Sequence, residues 1–344
     1  MSASRKTRKT AAGGATATAP TAVSAAARSE PTNRGMALDL DWVRSLTANR
    51  SAIEGRAATL PRRRTVKKDW QIAWLLKAIS CIDLTTLSGD DTAERVRRLC
   101  HKARRPVRAD LLAALGVGGL DLKVGAVCVY HAYVETAARA LAGSGIPVAA
   151  VSTGFPAGLS PFPERLSEIR RSIDAGAREI DIVITRAHVL NAHWQALYDE
   201  VSAFREACGG AHMKAILATG DVSTLRNVAR ASAVCMMAGA DFIKTSTGKE
   251  SVNATLPVGL VMARAIRDYH ERTGMMVGLK PAGGIGAAKE ALSWLAMIRE
   301  ELGRTWLDPG LFRFGASSLL GDIERQLEYH VRGFYSAGFR HPIA

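Results

Sequence analysis

Short runs of apolar residues alternate along the chain, from about residue 77 onward, with longer segments of helical periodicity. Eight of these runs have the length of buried strands, and they span residues 78–83, 124–130, 147–152, 179–184, 212–218, 241–245, 276–280 and 312–316. Eight strand–helix units in about 250 residues are the number expected for a (β/α)8 TIM barrel. An open, doubly wound sheet is the alternative, but no G-x-G-x-x-G pattern follows an early strand. The pattern therefore predicts an α/β fold of the TIM-barrel type.

Two of the segments between these strands show the helical spacing most clearly. The first carries apolar residues at steps of four, three, four and three, namely Leu190, Trp194, Leu197, Val201 and Phe204. The second follows Pro257, a residue favoured at the first helical position, and carries Val258, Val261, Met262, Ala265 and Ile266. Each segment is therefore predicted to form one helix with a single apolar face.

The chain divides by composition into four predicted parts. Residues 1–35 carry six Lys and Arg against one acid and are otherwise mostly small or polar, which predicts a disordered basic arm. An organelle transit peptide is the alternative, but the arm lacks the large apolar residues of a presequence helix. Residues 36–76 are predicted to form extra N-terminal helices, residues 77–332 the barrel domain and residues 333–344 a C-terminal tail.

The chain is strongly basic, with 46 Lys and Arg against 32 Asp and Glu and a net charge of +14. Such a field attracts phosphorylated metabolites as well as nucleic acids and membranes. The run 62–68 is rich in Arg and Lys, but no nucleic-acid motif accompanies it, so a solvated helix start is favoured over a nucleic-acid patch. No apolar stretch approaches about 18 residues, and the five scattered cysteines are typical of reduced thiols. We expect a soluble, cytoplasmic protein without a membrane or nucleic-acid partner.

Lysine residues stand at the ends of two consecutive predicted strands. Lys244 ends the sixth strand, before a loop rich in hydroxyl groups and glycine, and Lys280 ends the seventh. In TIM barrels the reactive groups lie at the carboxyl ends of the strands. Burial and mutual repulsion lower the pKa of a lysine, and a free amine attacks a carbonyl. Lys244 is a candidate nucleophile with Lys280 tuning its charge, although a structural ion pair would also place a lysine there.

Carboxylates interrupt two other apolar strands. Asp181 lies within the fourth strand, where it can anchor Lys280 and relay protons through a water if it points into the barrel. A structural salt bridge is an equally good interpretation. Asp83 and Thr85 lie at the end of the first strand and are candidates for binding a substrate hydroxyl, although an N-cap or turn role for Thr85 or Thr86 competes with this.

Two loops have the features of a phosphate site. Gly283 and Gly284 follow the seventh strand, and a Gly-Ala-Ser-Ser sequence at 315–318 follows the eighth and opens a helix. Glycines let backbone N–H groups approach an anion, and a helix N-terminus adds positive potential. Phosphate sites in TIM barrels commonly follow strands seven and eight. The candidate phosphate-binding residues are Lys249, Gly283, Gly284, Gly315, Ser317 and Ser318, with Thr247 beside them in the loop after strand six.

The eight histidines form no pattern typical of a metal site. His188 and His193 are five residues apart, so a helix would not align them on one face. We therefore expect no metal and no cofactor.

Four motifs resemble those of the deoxyribose-phosphate aldolases, a family of class I aldolases with a TIM-barrel fold. They lie at residues 82–87 (IDLTTL), 179–181 (EID), 242–249 (FIKTSTGK) and 280–284 (KPAGG). The resemblance runs from about Leu38 to Arg332. It is to the longer, animal-type branch, judged from segments 63–68 and 74–78.

The resemblance implies roles for particular residues. The Schiff-base lysine of the family falls on Lys244, its second catalytic lysine on Lys280 and its proton-relay aspartate on Asp181. The substrate-binding positions expected with them are Asp83, Thr85, Cys128, Lys214 and Thr247. The implied reaction is reversible cleavage of 2-deoxy-D-ribose 5-phosphate to acetaldehyde and D-glyceraldehyde 3-phosphate, in the catabolism of deoxynucleosides. The expected partners are this small phosphosugar and a second copy of the chain, in a homodimer.

The chain departs from the family pattern at three places. Gly286 stands where the family usually has arginine, which predicts weaker selectivity for phosphorylated substrates. His131 replaces a usual proline, and Tyr335 is not assigned the role of the C-terminal tyrosine of short bacterial members. Two alternatives stay open: another Schiff-base enzyme such as a transaldolase, and a binding protein for phosphosugars or nucleic acid that has lost turnover.

Overall fold

Eight parallel strands form one barrel in the structure, a computed structural model that describes residues 33–63 and 66–342. The strands are β1 (Ile82–Thr85), β2 (Ala126–Tyr130), β3 (Val148–Ser152), β4 (Glu179–Val183), β5 (His212–Ile216), β6 (Phe242–Lys244), β7 (Gly278–Lys280) and β8 (Phe314–Ala316). They pair in the order β7-β6-β5-β4-β3-β2-β1-β8. Isolated bridges, Leu279 to Phe312 and Ala282 to Gly315, connect the β7 and β8 segments. The predicted TIM-barrel fold is confirmed.

Helices surround the barrel and alternate with its strands. Those before β1 are α1 (Leu40–Ser45), α2 (Arg50–Arg63) and α3 (Lys68–Ser80). Those between β1 and β5 are α4 (Ala93–Arg104), α5 (Ala109–Ala114), α6 (Val134–Ala140), α7 (Phe162–Asp174), α8 (Arg186–Leu190) and α9 (Trp194–Cys208). The last four are α10 (Leu225–Met237), α11 (Leu256–Thr273), α12 (Ala288–Glu301) and α13 (Ser318–Arg332). Within the part of the chain that the structure describes, no helix has the length and apolar character to span a bilayer.

The first strand begins at Ile82 and not at residue 78 as predicted. Residues 78–80 form the last turn of α3, which ends in a turn where the N–H of Cys81 donates to the carbonyl of Ala78. The segment from Leu75 to Ile82 is mostly apolar. Periodicity alone cannot separate a buried helix end from a buried strand start in so short a run.

The helix predicted over residues 190–204 is in fact two helices. Leu190 ends α8 and is exposed, whereas Trp194 begins α9 and is buried. Ala192, with φ +54°, breaks the helical path between them. The prediction for α11 is confirmed, with Pro257 in its first turn.

The described chain begins inside the segment predicted as a basic arm, and residues 1–32 lie outside the described residues. Asn33 is already 1% exposed, and its Nδ2 donates to the carbonyls of Met236 at 2.7 Å and Ala240 at 2.8 Å. Helix α2 then packs against α11, and α3 against α12 and α13. The helices before β1 therefore cover one side of the barrel, while the four-part division of the chain stays a prediction.

Gly278 at the start of β7 makes room for an aromatic ring inside the barrel. A Cβ atom built on Gly278 would lie 2.3–2.5 Å from three ring carbons of Phe242 on β6. We expect Gly278→Ala to lower the free energy of unfolding by about 1–3 kcal/mol, because overpacking a rigid core forces side chains and backbone to shift. Urea denaturation measures this. The control is Gly119→Ala, whose added Cβ meets nothing within 4 Å; equal denaturation midpoints for the two variants would contradict the packing argument.

Candidate active site

The lumen of the barrel contains seven buried charged side chains, here called the lumen cluster. Its acids are Asp83, Glu179 and Asp181, and its bases are Lys214, Lys244, Lys280 and Arg313. Each of these residues is at most 5% exposed. Buried charges are costly unless they are paired and hydrogen-bonded. The contacts among these seven residues therefore decide what the lumen can do.

Asp181 on β4 is the centre of the lumen cluster. Its Oδ2 accepts hydrogen bonds from Nζ of Lys244 and from Nζ of Lys280, both at 2.7 Å, and its Oδ1 accepts from Nζ of Lys214 at 3.1 Å. Burial alone would raise the pKa of Asp181, but the three ammonium groups outweigh it and hold the pKa well below the usual range. Asp181 is therefore a charged carboxylate that brings the two predicted catalytic lysines to one oxygen atom.

The remaining acids are joined by Arg313, just before β8. Its guanidinium donates to Asp83, and its second terminal nitrogen donates to Oε1 of Glu179 at 2.9 Å. Nζ of Lys280 lies 2.5 Å from Oδ2 of Asp83, and Nζ of Lys214 lies 2.5 Å from Oε2 of Glu179. Asp83 thus belongs to the ion-pair network that holds Lys280.

Lys280 is held in its charged form by this network. Burial disfavours its ammonium, but the carboxylates of Asp181 and Asp83 outweigh burial and raise its pKa above the ordinary value. The pKa of Lys214 is raised for the same reasons, with Asp181 and Glu179 as the largest favourable influences. The sequence-based expectation that neighbouring ammonium groups lower the pKa therefore does not hold for Lys280, because carboxylates surround it.

Of the other predicted substrate-binding residues, Thr85 ends β1, Cys128 lies in the middle of β2 and Thr247 lies in the loop after β6. The hydroxyl of Thr85 donates to the carbonyl of Asp83 at 2.7 Å. Cys128 is fully buried, and burial raises the pKa of its thiol. The hydroxyl of Thr247 donates to Oε2 of Glu250 at 2.8 Å. Lys214 lies deeper, with no exposed surface, and its contacts are those of the lumen cluster.

The predicted phosphate loops meet at one side of the barrel mouth. Gly283 and Gly284 both have φ +78°, and the bridge between Ala282 and Gly315 joins the two loops. Ser317 is the N-cap of the 15-residue helix α13, which begins at Ser318. Lys249 is exposed in the neighbouring loop. Free backbone N–H groups of a helix start, glycines and a lysine at one place can bind an anion.

Sequence reasoning missed two members of the lumen cluster, Glu179 and Arg313. Glu179 stood inside the EID motif, but only its neighbour Asp181 was given a role. Arg313 interrupts the apolar run of the eighth strand, and a charge in such a run is the signal that could have identified it. Its partners are 134 and 230 residues distant in sequence, so only the closed barrel reveals them.

A family model and two mammalian relatives match most of this chain. A family model described as DeoC/LacD family aldolase matches residues 77–321. The deoxyribose-phosphate aldolase of Mus musculus is 59% identical over 306 residues, which are 88% of this chain and 96% of that protein. The deoxyribose-phosphate aldolase of Homo sapiens is 57% identical, over 89% of this chain and 96% of that protein.

A solved structure shares the fold at lower identity. The tetrameric deoxyribose phosphate aldolase from Aeropyrum pernix superposes with a TM-score of 0.55 at 22% identity, covering 77% of this chain and 98% of that one. The homodimer expected for the present chain stays a prediction. The resemblance predicted from the motifs is confirmed by the family model and the two mammalian relatives. The chain therefore belongs to the DeoC/LacD family of aldolases, enzymes of the lyase class.

Proposed function

We propose that this chain cleaves 2-deoxy-D-ribose 5-phosphate reversibly into acetaldehyde and D-glyceraldehyde 3-phosphate through a Schiff base on Lys244. The observation that carries the proposal is the shared oxygen of Asp181, which lies 2.7 Å from both Lys244 and Lys280 at the carboxyl ends of their strands. A nucleophilic lysine needs a neighbouring group that takes up and returns protons. The relatives that cover most of the chain carry the same reaction in their names.

The ion pairs of the lumen cluster distinguish Lys244 from the other two lysines. The cluster's four bases and three acids give a net charge of +1 when all are ionised. An uncompensated charge is costly in a buried site, so the number of carboxylates around each lysine matters for its reactivity. Lys244 has one ion pair, with Asp181, among the described residues, whereas Lys280 and Lys214 each contact at least two carboxylates. Lys244 is therefore the lysine of the cluster that the fewest carboxylates hold, and we assign the nucleophile to it.

The reaction begins when Nζ of Lys244 attacks C1 of the open-chain sugar. The resulting carbinolamine loses water and leaves a protonated imine. Asp181, acting through a water, then accepts the proton of the C3 hydroxyl. The C2–C3 bond breaks, its electron pair moves into the imine, and glyceraldehyde 3-phosphate leaves. Protonation of the enamine at C2 and hydrolysis by water release acetaldehyde and return the free amine.

Lys280 keeps Asp181 ionised until Asp181 accepts the C3 hydroxyl proton. It stays charged because Asp181 and Asp83 raise its pKa, and its ammonium is a fixed donor beside the reacting atoms. Preorganised charges of this kind stabilise the charge that develops in a transition state without reorganisation at that moment. Asp83 and Arg313 contribute by holding Lys280 in place.

We assign the phosphate to the loops after β6, β7 and β8. The positive φ of Gly283 and Gly284, the start of α13 and the exposed Lys249 support this. A cytoplasmic location and a role in deoxynucleoside catabolism complete the proposal, and five free, buried cysteines are compatible with a reducing compartment.

Borohydride trapping tests the proposal. Incubation with 2-deoxyribose 5-phosphate and reduction is expected to add the sugar to Lys244, as shown by mass mapping of the peptide. In a parallel assay without borohydride, acetaldehyde and glyceraldehyde 3-phosphate are expected in equal amounts. A folded protein that binds the sugar phosphate but gives neither adduct nor products would overturn the proposed function.

The glycine at position 286 predicts a measurable loss of phosphate selectivity. A Cβ atom built on Gly286 lies 3.2 Å from Oγ of Ser318 at the start of α13, so a side chain there is beside the proposed phosphate site. We expect Gly286→Arg to raise the preference for the phosphorylated over the unphosphorylated sugar about tenfold, because a charge-assisted contact to phosphate contributes roughly 1.5–3 kcal/mol. The measurement is kcat/KM for both sugars.

The control for that variant is Gly286→Gln, which adds a long side chain without charge. Its preference is expected to stay close to that of the wild-type chain. An equal rise in both variants would show that side-chain volume, and not charge, decides selectivity at this position.

A further inference from the structure

Glu250 holds the loop after β6 through its carboxylate. Both of its oxygens accept from the N–H of Thr247 at 3.0 Å, and Oε2 also accepts from the hydroxyl of Thr247 at 2.8 Å and from the N–H of Gly248 at 3.1 Å. The Glu250 side chain is 2% exposed. One buried carboxylate therefore determines the path of the chain between Lys244 and Lys249.

Arg186, the first residue of α8, ties this carboxylate to three other loops. Its guanidinium lies 3.6 Å from Oε1 of Glu250 and 2.9 Å from Oδ2 of Asp221, in the loop after β5. It also donates to the carbonyls of Ala157 at 2.6 Å and Pro156 at 3.1 Å, in the loop after β3. The side chain of Arg186 is 18% exposed. The loops that follow β3, β4, β5 and β6 thus meet at one guanidinium.

Close packing around Glu250 leaves the loop little freedom to shift. A Cβ atom built on Gly220, in the loop after β5, would lie 2.1 Å from the carbonyl oxygen of Val252. Nδ2 of Asn253 donates to the carbonyl of Glu250 at 3.0 Å. On the far side, a Cβ atom built on Gly248 lies 4.0 Å from Cα of Gly283. The loop after β6 therefore lies beside the first glycine of the loop after β7.

The positive charge of Arg186 also affects phosphate binding, because the phosphate of the substrate is expected to bind close to Glu250. A carboxylate beside a phosphate disfavours binding unless a cation compensates it. Arg186 provides a positive charge next to Glu250 from outside the proposed phosphate site. The pair can thus shape the loop without adding net negative charge at the barrel mouth.

We propose that Arg186 and Glu250 are positioning residues. They hold the loop that carries Thr247 and Lys249 in the conformation that binds the phosphate group of the substrate. This inference rests on the proposed function, because it names a part of the chain that serves the same reaction. Among the residues that the structure describes, neither Arg186 nor Glu250 forms a hydrogen bond or an ion pair with the lumen cluster. Their effect should therefore fall on binding of the phosphate and not on chemistry at Lys244.

Arg186→Gln tests the inference through its separate effects on KM and kcat. We expect KM for 2-deoxyribose 5-phosphate to rise about tenfold, because small displacements of substrate-positioning groups have effects of this order or larger. The value of kcat should stay within about twofold, and kcat/KM for unphosphorylated 2-deoxyribose should not change. Arg186→Lys retains a positive charge but not the planar guanidinium with its several N–H donors, so it should show a KM between those of the wild-type chain and Arg186→Gln.

The matched control is Arg56→Gln. Arg56 also bridges two carboxylates, Glu300 and Glu301, with a similar side-chain exposure of 23%, but it joins α2 to α12 away from the barrel mouth. Borohydride trapping of acetaldehyde on Lys244 shows that each variant retains a folded site. An unchanged KM in Arg186→Gln, or an equal loss for both sugars, would overturn the loop inference alone. Absence of an imine in the wild-type chain would overturn the proposed function itself.

Discussion

Lys244→Arg is expected to lower kcat by at least about 10⁴-fold, as loss of a covalent nucleophile does in other enzymes. Arginine keeps a positive charge opposite Asp181, which lies 2.7 Å from Nζ of Lys244. A guanidinium stays protonated and has no free amine to attack a carbonyl. The variant therefore removes the nucleophile and preserves the ion pair. Single-turnover cleavage of 2-deoxyribose 5-phosphate, with borohydride trapping and mass mapping, measures the effect.

Lys102→Arg is the matched control for that variant. Nζ of Lys102 lies 2.6 Å from Oε2 of Glu324, and its side chain is 14% exposed, but the pair joins α4 to α13 outside the lumen. The control should retain the wild-type kcat. Retention of more than about 1% of kcat in Lys244→Arg, or a trapped adduct on Lys280 in the wild-type chain, would contradict the assignment of Lys244.

Asp181→Asn is expected to lower both activity and stability. The amide cannot accept the C3 hydroxyl proton, so kcat should fall by about 10²–10⁴-fold. It also leaves three buried ammonium groups without their shared carboxylate. Removing one partner of a buried ion pair lowers the free energy of unfolding by about 3–5 kcal/mol. Steady-state kinetics and urea denaturation at pH 7 measure the two effects.

Asp241→Asn separates the two effects, because Asp241 is buried at the opposite end of β6 from Lys244. Its Oδ2 accepts from Arg205 at 2.7 Å and from the N–H of Met213 at 2.9 Å. This control should also lose stability, but kcat per folded molecule should not change. A similar fall of kcat in both variants would mean that Asp181 acts only through stability.

The pH dependence of stability should also distinguish Asp181→Asn from the wild-type chain. The pKa of Asp181 is depressed in the folded state by Lys214, Lys244 and Lys280. The contribution of ionised Asp181 to the stability of the folded state is therefore complete above its pKa in the unfolded state, about 3.9. This contribution is lost as the pH falls from that value towards the lower pKa of the folded state. Denaturation midpoints between pH 6 and pH 3 should fall more steeply for the wild-type chain than for Asp181→Asn.

The number and type of the strands could be predicted from the sequence because each strand is a short apolar run bounded by polar turns. The first residue of β1 could not be predicted, because the end of α3 and the start of β1 lie in one mostly apolar segment. The break between α8 and α9 depends on the positive φ of Ala192. Alanine gives no local signal for such a conformation.

Some residues of the candidate site could likewise be predicted from the sequence, and others could not. Lys244 and Lys280 stand at strand ends and Asp181 within a strand, all three in recognisable motifs, and the structure brings their charged atoms together. The contacts of Arg313, and the contact between Arg186 and Glu250, depend on which loops and strands become neighbours. Arg313 is 230 residues from its partner Asp83 in sequence. No spacing rule along the chain reports such a pair, since the closure of the barrel creates it.

The order of charges in the lumen cluster divides the barrel into two electrically opposite halves. All three acids, Asp83, Glu179 and Asp181, come from β1 and β4, and all four bases come from position 214 onward. Two copies of the first half would face each other with like charges, and so would two copies of the second. Only a first half joined to a second half pairs the acids with bases. Pairing of two first halves, the parts of the chain that the ribosome makes first, is therefore electrostatically unfavourable.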